Sequence, residues 1–135
     1  MPSPDFTIDT VRVAAASAFQ PDYSRPVESH YVFAYRIRIK NTGNRPARLL
    51  RRHWIITDAT GQVKEVEGEG VIGQKPTILP GDTHEYDSWV QLDTPLGAME
   101  GTFLMEQPAE SPEERAVFFR AEIPRFMLTA PELAN

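Results

Sequence analysis

Three groups of residues in this chain have types and spacings that chemistry uses: a glycine-rich loop, a histidine beside carboxylates, and an arginine cluster. The loop Gly68-Glu-Gly70-Val-Ile-Gly73 has the spacing GxGxxG. Such glycines hold a pyrophosphate when a strand leads in and a helix leads out, because the anion then sits on the helix N-terminus. Here Gln74-Lys75-Pro76 follows, and Thr77-Ile78-Leu79 reads as extended. Glycines that permit a bulge or tight turn between strands are therefore expected. A second use stays open, since successive N–H groups of a glycine loop can form an anion nest. Gly68, Gly70, Gly73 and the nearby Lys75 are the candidate loop for phosphate or pyrophosphate.

His84, Glu85 and Asp87 offer metal ligands. Alternation along one strand puts His84 and Glu85 on opposite faces. The three histidines, His30, His53 and His84, fall on three different expected strands, so a zinc or cobalt site would need them to converge in space. Ordinary strand or surface histidines are the expectation, and no metal site is assigned. A nucleophile with an activating base is also missing. Ser88 and His84 share parity but lie four residues apart, ~13 Å along a strand. There is no GxSxG elbow, P-loop or HExxH motif. Carboxylates pair at Glu67 and Glu69, with nothing to split their acidities. The chain is expected not to be an enzyme and to need no cofactor.

Arg45, Arg48, Arg51 and Arg52 crowd one segment. Solvated arginines on a twisted strand discourage edge pairing. The same group could take an acidic protein segment, a phosphate or RNA, because the guanidinium fork binds oxyanions bidentately. Arg48, Arg51 and Arg52, together with Trp89, form the candidate partner surface. Trp54 shares its strand's apolar parity and is expected in the core. Trp89 has the opposite parity from Tyr86 and Val90, so it points outward if they point inward. An outward tryptophan can anchor an interface.

The elements that must position these residues are strands. From Tyr31 to Ile39 the odd residues are apolar or aromatic, while Arg36, Arg38 and Lys40 intervene, as in a half-buried antiparallel strand. Asn41-Thr-Gly-Asn44 then signals a turn. The pattern returns at Val11–Ala15, at Leu50, Trp54 and Ile56 before Asp58-Ala-Thr-Gly61, around Val63 and Val66, at Tyr86–Leu92, at Phe103 and Met105, and at Val117–Ile123. About seven or eight short strands with regular turn signals predict an all-β sandwich or barrel. Residues 110–115 read as a polar hairpin loop.

Length and composition agree. A chain of 135 residues fits one domain and buries a core without staples. It has no cysteine, which removes thiol chemistry and disulfides and suits a reducing compartment. No secretory signal is seen, and no apolar run reaches the roughly 18–20 residues of a bilayer span, so a cytoplasmic protein without membrane insertion is expected. The net charge of −5 removes a global nucleic-acid footprint. Residues 1–6 and 129–135 read as flexible tails.

These segments resemble the ApaG family over nearly the whole chain. The resemblance rests on Tyr31-Val-Phe-Ala-Tyr35, Asn41-Thr-Gly43, Arg52-His-Trp-Ile-Ile-Thr-Asp58 and Val66–Gly73. Pro76, Leu79-Pro-Gly81, Tyr86-Asp-Ser88, Thr94–Gly101 and Glu122-Ile-Pro-Arg-Phe126 continue it in order. Trp89 departs from it, standing where the family usually has a small residue. The resemblance implies a fibronectin type III-like sandwich and a bacterial cytosolic protein. It also implies a link by name to cobalt and magnesium resistance, and a protein-binding role by analogy with related eukaryotic domains. It supplies no catalytic residue. A non-catalytic module that binds an unidentified protein partner is the expectation, with a phosphate- or metal-binding regulator as the alternative. Exposed sheet edges would also permit a homodimer.

Overall fold

A computed structural model describes residues 10–131. Eight antiparallel strands run in chain order: β1 Val11–Phe19, β2 Tyr31–Asn41, β3 Ala47–Asp58, β4 Val63–Glu69, β5 Thr77–Ile78, β6 Thr83–Leu92, β7 Leu96–Gln107 and β8 Val117–Thr129. One sheet has the order β1-β2-β6; the other has the order β4-β3-β7-β8, with short β5 pairing to β3. The result is a β-sandwich, one of the two architectures the alternation predicts, and is fibronectin type III-like as the family resemblance implies. Two one-turn 3-10 helices, Pro21–Tyr23 and Pro26–Glu28, fill the β1–β2 connection. His30 lies outside β2, in a tight loop where it bridges Arg25.

Burial follows the two-residue period most clearly in β2, where Phe33, Ile37 and Ile39 are fully buried and Arg36, Arg38 and Lys40 are exposed. Leu49, Phe103, Met105 and Leu128 meet them from the second sheet. An aromatic cluster joins the layers: the Tyr35 and Trp54 rings lie 5.5 Å apart, and Phe126 packs 6.0 Å from each. The fully buried Asn41 amide donates to Arg45 O and Ile78 O, and its Oδ1 accepts from the Gly43 N–H. Every polar group of that side chain is thus partnered, as burial requires.

Two bulges reset the alternation. In β3 the register with β7 slips between Leu49 and Arg51. Ala47 and Leu49 are buried before the slip, and Trp54 and Ile56 after it. Leu50 is the extra residue and does not share the buried parity of Trp54, contrary to the sequence expectation; Leu49 occupies the core instead. One inserted residue moves all later side chains to the other face. In β8 the register slips opposite Glu100, at Pro124 and Arg125. Proline has no N–H to give a ladder, so a bulge suits it. Ala121 and Ile123 are buried before it and Leu128 after it.

The layers close along β1 and β8, where Ser17 Oγ donates to Met127 O at 2.7 Å. On the opposite side β4 and β6 each pair with one strand only, leaving a cleft of ≈ 580 Å³ between the sheets. Of the residues expected in a tail at 129–135, Thr129 ends β8, and buried Ala130 donates its N–H to Pro95 O. Residues 1–6 and 132–135 lie outside the described residues.

Gly101 marks the tightest approach in the second sheet, where an added Cβ would stand 2.0 Å from His53 O and 3.2 Å from Trp54 Cα. Neither neighbour is a flexible side chain, so the ladder itself would have to move. Gly101→Ala is expected to cost at least about 2 kcal/mol in chemical denaturation. A loss under about 0.5 kcal/mol would show that β3 and β7 are not locked at this spacing.

Candidate functional site

The glycine loop is a hairpin tip. Val71 and Gln74 exchange N–H···O bonds of 2.8 and 2.9 Å, and Ile72 and Gly73 between them have φ of 48° and 73°. Two consecutive residues at positive φ make the type I′ turn that matches strand twist. Gly70 is required at its position: its φ is 64°, and a Cβ would meet Gln74 O at 2.3 Å. Its N–H donates to Leu50 O at 2.8 Å. No helix follows the loop, so the pyrophosphate geometry is absent among the described residues. The N–H groups of Gly70, Val71 and Gln74 are taken by carbonyls, and Lys75 Nζ lies 2.8 Å from Glu69 Oε1.

Because of the Leu50 bulge, Arg52 points between the sheets rather than outward with Arg51. Its Nη1 donates to Glu69 O at 3.1 Å and Gly70 O at 2.9 Å, tying β3 to the root of the hairpin. Gly68 makes room for it, since a Cβ there would stand 2.8 Å from both terminal guanidinium nitrogens. A pocket of ≈ 290 Å³ lies alongside, lined by Tyr35, Arg52, Trp54, Tyr86 and Ser88 with the hairpin residues above. Burial pushes the Tyr35 phenol up; a Ser88 hydrogen bond and the Arg52 charge pull it back in part. Burial raises the Tyr86 phenol further, helped by Tyr35 and opposed by Arg52. Both phenols are neutral donors at neutral pH.

On the outer side of the same strand, Trp89 is 67% exposed. It borders a groove of ≈ 550 Å³ with Gln20, Tyr23, His30, Val32 and Ala34, and it also lines the cleft facing β4. Tyr23 beside it is 72% exposed. Neighbouring carboxylates are held flat by arginines of β2: Arg36 forks onto Asp87 at 2.8 and 3.2 Å, and Arg38 Nε lies 2.6 Å from Glu85.

The remaining predicted residues do not assemble. Glu85 and Asp87 are engaged by those arginines, while His84 faces the other way, its ring 6.3 Å from Tyr86. The arginine cluster is split. Arg45 binds Glu114 at 2.9 Å, Arg51 lies between Glu67 and Glu69, Arg48 is exposed and Arg52 turns inward. A grouping absent from the sequence reading is His53 with Glu65 and Glu67, whose ligand atoms all lie within 4.8 Å of one another. The β3–β4 register creates it by pairing His53 with Glu67. One imidazole and two carboxylates are donors that a divalent ion accepts. A hydrogen bond of 2.8 Å from His53 to Glu65 accounts for the arrangement without an ion.

Comparison with known proteins follows the same outline. The family model described as the ApaG domain matches residues 21–107. Protein ApaG of Paramagnetospirillum magneticum is 45% identical over 93% of this chain and 92% of its own length. Protein ApaG of Bdellovibrio bacteriovorus is 45% identical over 95% and 92%. A crystal structure of a candidate ApaA protein from Bordetella pertussis superposes with a TM-score of 0.82 at 42% identity, covering 90% of this chain and 94% of that one.

Four surface carboxylates, Asp58 of them half-buried, are held below the ordinary carboxylate range. Asp58 is held down by the Thr60 hydroxyl, Glu69 by Lys75, Asp87 by Arg36, and Glu114 by the Glu110 N–H and then Arg45. A folded-state value below the unfolded one favours the native chain above the ordinary values of 3.8 and 4.5, and that contribution is lost as pH falls through the lowered ones. The thermal midpoint is therefore expected to be flat from about pH 7 to 5 and to fall below about pH 4. Salt should weaken the dependence because these groups lie at the surface. A midpoint that rises on acidification would contradict the assignment.

Proposed function

The chain belongs to the ApaG domain family, and on that premise we propose that it is a non-catalytic binding module whose partner is another protein. The observation that carries this reading is Trp89, standing largely exposed beside an apolar groove on the open face of the β1-β2-β6 sheet. An exposed indole on a rigid strand loses little freedom when covered, and tryptophan is over-represented among the side chains that dominate interfaces. The groove offers Val32, Ala34 and the Tyr23 ring to an apolar side chain. The Arg36–Asp87 and Arg38–Glu85 pairs alongside supply the polar rim that interfaces keep around such a centre. Among the described residues no nucleophile is paired with a base, which supports the non-catalytic reading.

A cytoplasmic setting is supported by the cysteine-free composition and the bacterial relatives. No helix among the described residues is long and apolar enough to cross a membrane. Any contribution to cobalt or magnesium resistance would run through the protein partner.

The test is capture from a lysate of the chain's own organism, followed by titration of the purified partner. Trp89→Ser is expected to lose a protein that the wild type and Ile72→Ser both retain, with stability changed by less than about 0.5 kcal/mol. The purified partner should bind Trp89→Ser at least about 30-fold more weakly. Equal retention by all three chains, or a second copy of this chain as the only protein lost, would refute the proposal.

A further inference from the structure

Arg52 is charged, half-buried and, among the described residues, without a carboxylate partner. Arg36, Arg38, Arg45, Arg51 and Arg125 each lie within 4.0 Å of an acidic side chain. No such pair forms with Arg52 among the described residues; it donates instead to the carbonyls of Glu69 and Gly70. Glu69 also lines the pocket, but its carboxylate is drawn to Lys75 at 2.8 Å and Arg51 at 3.7 Å. Carbonyl dipoles orient a guanidinium without cancelling its charge, and Arg binds oxyanions with two parallel donors.

A second, independent feature lies in the same pocket. The Tyr86 hydroxyl is buried and has no hydrogen-bond partner among the described residues. A buried donor left unpaired costs stability, so a fold that keeps one calls for an explanation. Tyr35 and Ser88 bring two more hydroxyls from adjacent strands, paired across the β2–β6 ladder. The remaining walls are apolar: the Trp54 ring, Val71 and Ile72. The volume of ≈ 290 Å³ lies just below the range typical of ligand sites, about 300–1,000 Å³, as suits a small ligand.

We propose that the pocket beneath the glycine hairpin, where Arg52 and the Tyr86 hydroxyl converge, binds the oxyanion of a small aromatic acid. The Arg52 guanidinium and the Tyr86 O–H donate to the acid group, and the ring lies against Trp54 and the hairpin side chains. The anion sits under the glycine loop, not on its amides, three of which are already bonded to carbonyls. This site lies on the inward side of β6, away from the Trp89 groove, so either can fail while the other stands.

The experiment titrates the ¹⁵N-labelled full chain with benzoate, phenyl phosphate and inorganic phosphate. Saturable shifts are expected at the amides of 70–73 and 86–88 and at the Arg52 Nε–H. At least one aryl acid should bind about ten-fold or more tightly than inorganic phosphate, and the stronger of the two identifies the preferred oxyanion. Arg52→Met should abolish the response, but it also releases the hairpin. Tyr86→Phe is the cleaner variant. It is expected to weaken binding about ten-fold while the thermal midpoint stays level or rises, since an unpaired hydroxyl has been removed. A purely structural role for Tyr86 would not separate the two readouts. No saturable shift at tens of millimolar aryl acid, equal binding of inorganic phosphate, or unchanged affinity in Tyr86→Phe would each overturn the proposal.

Discussion

A strand can change which of its faces looks into the core only by adding or losing a residue, and β3 does so at Leu50. Much of the candidate-site geometry descends from that insertion. Without it, Arg51 would share the buried parity of Ala47 and Leu49, and Trp54 would face solvent. With it, Trp54 enters the aromatic cluster and Arg52 turns between the sheets, where it ties the hairpin root to β3. The same bulge leaves Leu50 O free of the β7 ladder to accept from the Gly70 N–H. One extra backbone unit thus joins the core, the glycine hairpin and the only inward arginine of β3.

The two sheets do not meet equally on both sides. Along β1 and β8 the layers are joined by a direct hydrogen bond. Along β4 and β6 they stand apart, and the polar and aromatic side chains of the inward faces line the gap instead of filling it. Sheets twisted relative to one another diverge at their corners. Here the divergent side carries Trp89, the hairpin tip and Arg52, and the openings between the sheets lie beside them.

Much of this was legible in the sequence. The alternation in β2 and the outward direction of Trp89 need only a period of two and a known core face. The turns at Asn41 and Asp58 announce themselves by residue type, and the Asp58 carboxylate indeed organises its loop by accepting from Thr60 and Gln62. The absence of a helix after Gly73 followed from Pro76. The inward turn of Arg52 follows from the core parity of Trp54 two residues on, although residue type alone groups it with Arg48 and Arg51; the bulge itself was not legible, because Leu49 and Leu50 are both leucine and either could be the core residue. The pocket was hidden because it needs β6 beside β2 and the hairpin folded over both, which only topology supplies. The grouping of His53 with Glu65 and Glu67 could have been found by counting back from the Asp58–Gly61 turn, since a short hairpin sets its own register. The fate of Glu85 and Asp87 depended on which strand lies beside β6, and only topology places the β2 arginines there.

The closed seam has a consequence for how such a sandwich can be built into larger chains. Ser17, near the end of β1, touches Met127, near the end of β8. Val11, where β1 begins, is six residues away along its strand, roughly 20 Å. The described chain therefore enters at one extremity of the seam and leaves at the other, on the side away from the β4–β6 opening. A segment joined at either extremity thus attaches along the β1–β8 seam and leaves the β4–β6 opening of this sandwich uncovered.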